Sequence, residues 1–255
     1  MASVVSMRDG SWWRRGASKR ESRRCFKAVE AGLPRHRRRA MLAPMKAVAI
    51  IVSVLLGAMP LSIVAQPSTE SAFVTALVDA AMARTRVSVT YDGGYRRIDY
   101  PNGDVPDNIG VCTDVVIRSY RKAGVDLQRL VHEDMTRAFD AYPNHWGLRR
   151  PDPNIDHRRV PNLQTFFERQ GAALPVSDRA DAYRAGDLVT WMLPGNLPHI
   201  GVVTGQRSAD SGRPLIVHNI GRGPELEDLL FSYPITGHYR YIRLPSQEAS
   251  NGDTR

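Results

Sequence analysis

Residues 108–116 read NIGVCTDVV, and the fold prediction starts from this stretch. The residues before it, 95–110, are rich in Pro, Gly, Asn and Asp, which is typical of a loop. Residues 111–122 then place apolar side chains at helical spacing, and Gly124 supplies a natural stop. The sequence therefore predicts a loop that turns into an amphipathic helix, with Cys112 in the first turn and on the inward face.

Two opposing expectations follow for Cys112. The unpaired N–H groups and the positive dipole end of a helix N-terminus favour a thiolate, so they predict a thiol pKa below the free value of about 8.5. The alternative is that Cys112 is a buried small hydrophobe, which is common for an unpaired cysteine. Asp114 could raise the thiol pKa by like-charge interaction, cap the helix by accepting backbone N–H bonds, or select a cationic substrate group.

The positive charge of the chain is confined to its N-terminal part. The 255 residues carry a net charge of +9, but residues 1–46 hold 13 Lys/Arg and 3 Asp/Glu, while residues 47–255 hold 22 Lys/Arg and 23 Asp/Glu. The remainder is thus near neutral, which removes the main reason to expect a nucleic-acid partner.

The same N-terminal part resembles an export signal. Lys46 is followed by an apolar run over residues 47–65 that contains no charge and ends in Ala65. This pattern predicts a basic leader without a fold over residues 1–44, from a mis-assigned start, a signal peptide over 45–65, and a periplasmic or secreted product. The alternative is an uncleaved membrane anchor, because the run approaches the about 20 residues of a spanning helix.

Cleavage after Ala65 would leave Cys112 as the one cysteine of the mature chain, because Cys25 lies in the leader. No intramolecular disulfide is then expected. An unpaired thiol in an oxidising compartment is a liability unless it is buried or used.

The pattern changes along the chain from helices to strands. Apolar residues recur at helical spacing in the first half, and with period two in the second half. Short connections between the later strands predict an antiparallel sheet, and the whole predicts one α+β domain over residues 66–245 followed by a flexible tail over 246–255. Besides the helix of Cys112, helices are predicted over 68–86, 126–142 and 161–171, and strands over 87–91, 187–192, 199–205, 214–220 and 238–244.

Two histidines are candidates to act on the thiol. His199 opens a predicted strand with Gly201 on its own side, and His218 lies on the next strand with Asn219 after it. Neighbouring antiparallel strands bring such side chains within hydrogen-bond reach. A cysteine nucleophile needs a base and a group that orients the base, and this order supplies both. Asn219 points to the opposite face in regular alternation, so either His218 or Asn219 is expected to orient His199.

Four stretches resemble the NlpC-type cysteine peptidases, which are papain-like. They are GVCTDVV at 110–116, GDLV at 186–189, PHIGVV at 198–203 and IVHN at 216–219, and YDGG at 91–94 is similar to the aromatic-Gly-Gly loop before the cysteine of those enzymes. A closer resemblance, over about residues 70–244, is to domain of unknown function 1287, an exported bacterial family. The chain departs from the NlpC pattern at Thr113-Asp114, where those enzymes have Ser-Gly, and in residues 146–161.

The resemblance implies a papain-like α+β fold in which the nucleophile helix packs on an antiparallel sheet. It also implies that Cys112 is the nucleophile, His199 the base and His218 the orienting group, with Tyr91, Asp114 and Asn219 near the substrate. The implied activity is hydrolysis of amide bonds in cell-wall (peptidoglycan) or other peptides. No cofactor, metal or nucleic acid is expected, membrane contact is expected only for an uncleaved signal segment, and a monomer is expected.

Other interpretations stay open at this stage. The same cleft could bind wall peptides without cleaving them, or transfer an acyl group to an amine rather than to water. In residues 146–161, Asp152, Asp156 and His157 could hold a metal, but four neighbouring arginines are the better partners for the carboxylates. Those arginines could instead bind acidic groups of a substrate, because a guanidinium fork suits carboxylates.

Overall fold

The computed structural model describes residues 68–244, so the predicted leader, signal peptide and tail over 246–255 lie outside the described residues. Four helices come mainly from the first half of this range: α1 (Thr69–Arg84), α2 (Cys112–Lys122), α3 (Leu127–Arg137) and α4 (Val160–Arg169). None of the helices within residues 68–244 has the length and apolar character needed to cross a membrane.

Local signals in the sequence set the helix ends. The Ser68 side chain accepts a hydrogen bond from Ser71 N, and the Asp126 side chain accepts one from Gln128 N, so both residues are N-caps. Pro161 lies in the first turn of α4, where its missing N–H costs nothing. Gly124 has φ +88°, a left-handed conformation that ends α2 at little cost.

Within the described residues, eight strands follow or precede these helices: β1 (Thr90–Tyr91), β2 (Ile109–Gly110), β3 (Ala173–Leu174), β4 (Leu188–Leu193), β5 (Leu197–Arg207), β6 (Pro214–Asn219), β7 (Pro224–Glu227) and β8 (Ile235–Tyr239). The later six form an antiparallel sheet in the order β3-β8-β4-β5-β6-β7. A separate two-stranded parallel pair joins β1 to β2, immediately before α2.

The sheet buries both of its faces. One face packs against the helices, where Leu163, Phe167 and Val202 are fully buried. Burial of an apolar side chain of this size contributes about 1.5–3 kcal/mol, so this layer is the main source of stability. The other face packs around Trp191 and Leu230, under the segments that flank the sheet. Trp191 donates its indole N–H to the Leu230 carbonyl at 2.9 Å, which satisfies its one polar atom.

The sequence prediction of fold class is confirmed: helix α2 lies on the antiparallel sheet, in contact with β5 and β6, and all its residues from Cys112 to Tyr120 are buried. Several element boundaries were wrong. The predicted strand 87–91 shrinks to β1, the predicted strand 238–244 lies instead at β8, and the helix expected to reach residue 142 ends at Arg137. Three short strands, β2, β3 and β7, were missed because two to four residues are too few to show a period.

Candidate active site

Cys112 is the first residue of α2 and its side chain is inside the protein. Its relative exposure is 4%, and it lies in the core cluster between the helices and the sheet. The pKa of the thiol is raised to about 11, mainly by burial; Asp114 contributes to the rise, and backbone groups of Ile200, Thr113 and Cys112 oppose it. The expected fall in thiol pKa was therefore wrong, because loss of solvent outweighs the helix N-terminus.

His199 and His218 are in direct contact. The Nε2 atom of His199 lies 3.1 Å from Nδ1 of His218, and the Nε2 atom of His218 lies 2.9 Å from Oε2 of Glu227. Three side chains from β5, β6 and β7 thus form one line of hydrogen bonds.

Which atom donates in each bond follows from Glu227, because its carboxylate can only accept a hydrogen bond. The Glu227 carboxylate has no proton to give, so His218 donates from Nε2 and its Nδ1 is an acceptor. His199 then donates from Nε2, which leaves the lone pair of the neutral imidazole on Nδ1. This line of bonds makes Nδ1 the basic atom of His199.

Both rings are neutral at pH 7. Burial, followed by the nearby His218, lowers the pKa of His199 to about 3. Burial also lowers the pKa of His218, against the opposing effect of Glu227 and Glu225. The resting site therefore contains a neutral thiol and a neutral base rather than a preformed ion pair.

Gly201 makes the contact between the histidines sterically feasible. Val202 pairs with Val217, so Gly201 lies beside His218 on the neighbouring strand. A Cβ atom at position 201 would lie 2.6 Å from Ile216 Cγ2 and 3.1 Å from His218 Cβ. The neighbouring strand, including His218, thus fills the space beside Gly201.

Asp114, two residues after Cys112 in α2, pairs with Arg158. Two parallel hydrogen bonds of 2.8 Å join the Arg158 guanidinium to the two carboxylate oxygens, and both side chains are under 5% exposed. Asp114 also accepts the N–H of Val111 at 2.6 Å, which caps α2. Of the three roles considered for Asp114, the structure contains two, namely the cap and the rise in thiol pKa, while its carboxylate is occupied by protein groups.

Arg158 also binds the loop that precedes Cys112. It donates to the carbonyls of Asp92 and Gly94 at 3.2 and 3.3 Å, and its own carbonyl accepts the Thr113 hydroxyl at 3.0 Å. The two departures from the NlpC pattern, Thr113-Asp114 and residues 146–161, are therefore one structural unit. The sequence interpretation paired the arginines of this segment with Asp152 and Asp156, which was correct only for Arg159.

A cavity of about 780 Å³ opens in front of Cys112. Tyr91 lies on its wall and is half exposed, and burial together with Cys112 and Asp114 raises the pKa of its hydroxyl, which stays protonated. Asn219 does not line this cavity: it donates to the Gly110 carbonyl at 3.4 Å and accepts the N–H of Gly221 at 3.0 Å. His218, and not Asn219, contacts His199.

Residues 146–161 supply another wall of the cavity. The Arg159 guanidinium carbon lies 3.9 Å from the centre of the Trp146 ring, and Arg159 Nη1 lies 3.0 Å from Asp156 Oδ1. Within residues 68–244, no group of three or more His, Cys, Asp or Glu side chains is arranged to hold a metal ion.

Sequence reasoning did not find Glu227 or the role of Arg158. For Glu227 the signal was weak: Glu225 and Glu227 alternate with Pro224 and Leu226 directly after a Gly-Arg-Gly turn, but four residues are too few to establish a period. Recognition of this short strand would have put an acidic side chain opposite His218. No comparable signal marks Arg158, which is 44 residues from Asp114 along the chain.

Comparison with known proteins identifies the family. The family model described as domain of unknown function (DUF1287) matches residues 78–241. YijF, an uncharacterized protein of Escherichia coli (strain K12), is 51% identical over 167 residues, which cover 66% of this chain and 81% of YijF.

Two solved structures are similar at low scores. NlpC1 from Trichomonas vaginalis aligns with a TM-score of 0.37 and 13% identity, over 71% of this chain and 46% of its own. An NLP/P60 family protein from Staphylococcus aureus subsp. aureus Mu50, described as similar to lipoprotein, aligns with a TM-score of 0.33 and 14% identity, over 68% and 42%. The chain thus spans less than half of either protein, and their activities are not carried over. The family match and the similarity to YijF are sufficient by themselves: the chain belongs to the DUF1287 family.

Proposed function

We propose that the chain is an exported cysteine amidohydrolase or peptidase that cleaves amide bonds in cell-wall peptides. Cys112 is the nucleophile, His199 the base and His218 the group that orients the base. The observation that carries this proposal is the line of hydrogen bonds from His199 through His218 to Glu227, which leaves Nδ1 of His199 basic.

The position of the thiol supports the same assignment. A backbone group of Ile200, the residue after His199, acts on the Cys112 sulfur and lowers its pKa. Strand β5 carries both Ile200 and His199, and Cys112 and Tyr91 line the cavity, whereas His199 does not.

The reaction begins from the neutral pair. His199 Nδ1 takes the thiol proton while the sulfur attacks the carbonyl carbon of the amide, so that the new C–S bond forms and the carbonyl oxygen becomes an oxyanion. The imidazolium that results is stabilised through His218 by the negative charge of Glu227.

Donors beside the sulfur stabilise the oxyanion. The Cys112 backbone N–H at the helix N-terminus is one, and the protonated hydroxyl of Tyr91 is the second. His199 then gives its proton to the leaving amine as the C–N bond breaks. A water molecule, deprotonated by His199, attacks the thioester and releases the acid and the free thiol.

Export to the periplasm or outside the cell remains part of the proposal and gives the choice of substrate. Residues 45–65 have the pattern of a signal peptide, with the membrane-anchored form as the alternative. A hydrolase in that compartment meets the peptides of the cell wall. The mature part is near neutral in charge, which gives no reason to expect a nucleic-acid partner. The proposed form is a monomer that acts on peptides.

One observation favours a second function. The buried thiol with a pKa of about 11 is also what a non-catalytic module would contain, in which the cleft binds wall peptides and Cys112 is a core residue. The two functions differ in whether a covalent intermediate forms at Cys112.

Trapping this intermediate tests the proposal. The chain is mixed with an excess of purified wall peptides, quenched in acid within seconds and measured by intact mass spectrometry. We expect an added acyl group that peptide mapping assigns to Cys112 and that the Cys112→Ala variant lacks. Wild-type protein that binds the peptides but never gains mass would favour the binding module. Added amine acceptors that become acylated would identify acyl transfer.

A further inference from the structure

Arg159 is held in place on two sides beside the cavity of Cys112. The Trp146 ring supports one face of its guanidinium at 3.9 Å, and the Asp156 carboxylate binds Nη1 at 3.0 Å. The Arg159 side chain is only 15% exposed and lines the cavity. Because the planar group is fixed before any ligand arrives, little side-chain entropy is lost when it binds one.

The hydrogen-bond donors of Arg159 are not all used. A guanidinium has five N–H donors, and within the described residues the one hydrogen bond of this group is from Nη1 to Asp156. Its remaining donors on Nε and Nη2 can form the fork that binds a carboxylate.

Arg158 lines the same cavity, but its nitrogen atoms are already bonded to protein groups. Its Nε and Nη2 atoms bind Asp114, and its Nη1 and Nη2 atoms donate to the carbonyls of Gly94 and Asp92. With all three nitrogens engaged, Arg158 stabilises the site and has no fork to offer a substrate.

The acidic side chain of the cavity wall lies away from Arg159. Helix α4 lines the cavity with one face, and Glu168 lies near its C-terminal end. Nine residues separate Arg159 from Glu168, which corresponds to about 13 Å along a helix. An anionic group at Arg159 is therefore distant from this carboxylate. The other cavity-lining residues of α4 are Val160, Pro161, Gln164 and Thr165.

We infer that Arg159 binds a carboxylate of the substrate, so that the cleft selects peptides with a free carboxylate close to the scissile amide. This deepens the proposed function, on which the hydrolysis part of the inference rests. The binding part stands on the cavity and on the geometry of Arg159 alone.

The test compares pairs of synthetic wall-type peptides that differ at one position, where a carboxylate is replaced by a carboxamide. The position is moved stepwise away from the amide that is cleaved. For at least one position, we expect the carboxylate peptide to have a KM about 10- to 100-fold lower, the usual range for a hydrogen bond to a charged group. Equal KM values at every position would overturn the inference.

Variants assign the effect to Arg159. We expect Arg159→Gln to raise the KM for the carboxylate peptide to that of the carboxamide peptide, with kcat nearly unchanged, and Arg159→Lys to recover part of the loss because it keeps the charge without the fork. Arg150→Gln, a change of an exposed arginine in the same segment, should alter neither value. Thermal unfolding reports whether each variant folds. If Arg159→Gln does not fold, the comparison of carboxylate and carboxamide peptides on the wild type decides whether the cleft selects a carboxylate.

Binding to the Cys112→Ala variant separates this inference from the proposed function. Calorimetry with the same peptide pairs gives dissociation constants without turnover. A carboxylate preference that disappears in Cys112→Ala/Arg159→Gln, together with no cleavage by the wild type, would refute the hydrolase and keep the Arg159 site. Cleavage without any preference would refute the Arg159 site alone.

Discussion

The Nε2 atom of His218 lies 2.9 Å from Oε2 of Glu227, so the hydrogen bonds that begin at His199 end on a carboxylate. This contact fixes which nitrogen of each ring carries a proton, and in the proposed mechanism it supplies negative charge when His199 becomes an imidazolium. Glu227 is partly exposed and does not line the cavity of Cys112, so in that mechanism it acts through His218 rather than on the substrate.

Glu227→Gln is expected to lower kcat about tenfold, equivalent to about 1.4 kcal/mol, while KM stays within twofold. The reason is that the neutral amide stabilises the imidazolium less than a carboxylate does. Steady-state kinetics on a cleaved peptide measure both constants. Glu225→Gln is the matched control, because Glu225 shares the partner Arg222 but has no bond to His218. An equal fall in both variants would remove Glu227 from the mechanism.

Gly201→Ala is expected to lower the free energy of unfolding by about 1–3 kcal/mol and to lower kcat by at least tenfold. The new methyl group would meet Ile216 at 2.6 Å and displace His218 from His199. Urea unfolding and peptide hydrolysis measure the two effects. Gly205→Ala lies on the same strand, where the added atom meets only Ala185 at 3.9 Å, and it should change neither quantity.

Asp114→Ala is expected to cost about 3–5 kcal/mol of unfolding free energy, because it leaves the buried Arg158 charge without its partner. The double variant Asp114→Ala/Arg158→Ala should lose less than the sum of the two single losses, as coupled residues do. Asp181→Ala breaks the exposed pair with Arg179 and should cost less than about 1 kcal/mol. Additive losses at Asp114 and Arg158 would show that the pair is not coupled.

Alkylation of Cys112 is expected to be slow at pH 7 and to rise with pH, because only the thiolate reacts and the pKa is about 11. Asp114→Asn should shift this profile to lower pH, since it removes a negative charge that raises the pKa. Peptide mapping after treatment with iodoacetamide follows Cys112 separately from Cys25. If Asp114→Asn leaves the pH dependence of alkylation unchanged, an electrostatic effect of Asp114 on the thiol is excluded.

The protein is expected to lose stability as the pH falls from 6.5 towards 3. Burial lowers the pKa of His157 to about 3, as it does for His199, whereas the value in an unfolded chain is about 6.5. Between these values the unfolded state binds the proton and the folded state does not, so each histidine contributes stability that is fully present above pH 6.5 and declines below it.

For each histidine, the free energy of unfolding falls by about 1.4 kcal/mol per pH unit, which is about 2 kcal/mol per histidine between pH 6.5 and 5. Urea unfolding at the two pH values measures it. His157→Gln should remove about one histidine's share of the loss, whatever its stability at pH 6.5, while His145→Gln, a change of an exposed residue, should leave the loss unchanged. An identical loss in all three proteins would contradict the buried neutral state of His157.

The sequence was sufficient to predict the parts of the fold that repeat a local pattern. The helical spacing around Cys112 predicted α2, and the period of two around His199 and His218 predicted their two strands and their adjacency. Both are properties of a few neighbouring residues, so they can be read without the rest of the chain.

The remaining features depend on contacts between distant segments. The thiol pKa is set by burial under the sheet, and the role of Asp114 is set by Arg158 from another part of the chain. The carboxylate at Glu227 lies on a four-residue strand, too short for a periodic signal. Tertiary contact, rather than local preference, decides each of these properties.

The measurement that tests the central claim most directly is digestion of purified cell-wall peptides, read by mass spectrometry, with the wild-type chain and Cys112→Ala at equal concentration. Both proteins must first show the same thermal unfolding, so that a difference in activity reflects the thiol. We predict products that have gained one water across an amide bond with the wild type and none with Cys112→Ala. Identical product profiles from the two folded proteins would contradict the assignment of Cys112 as the nucleophile.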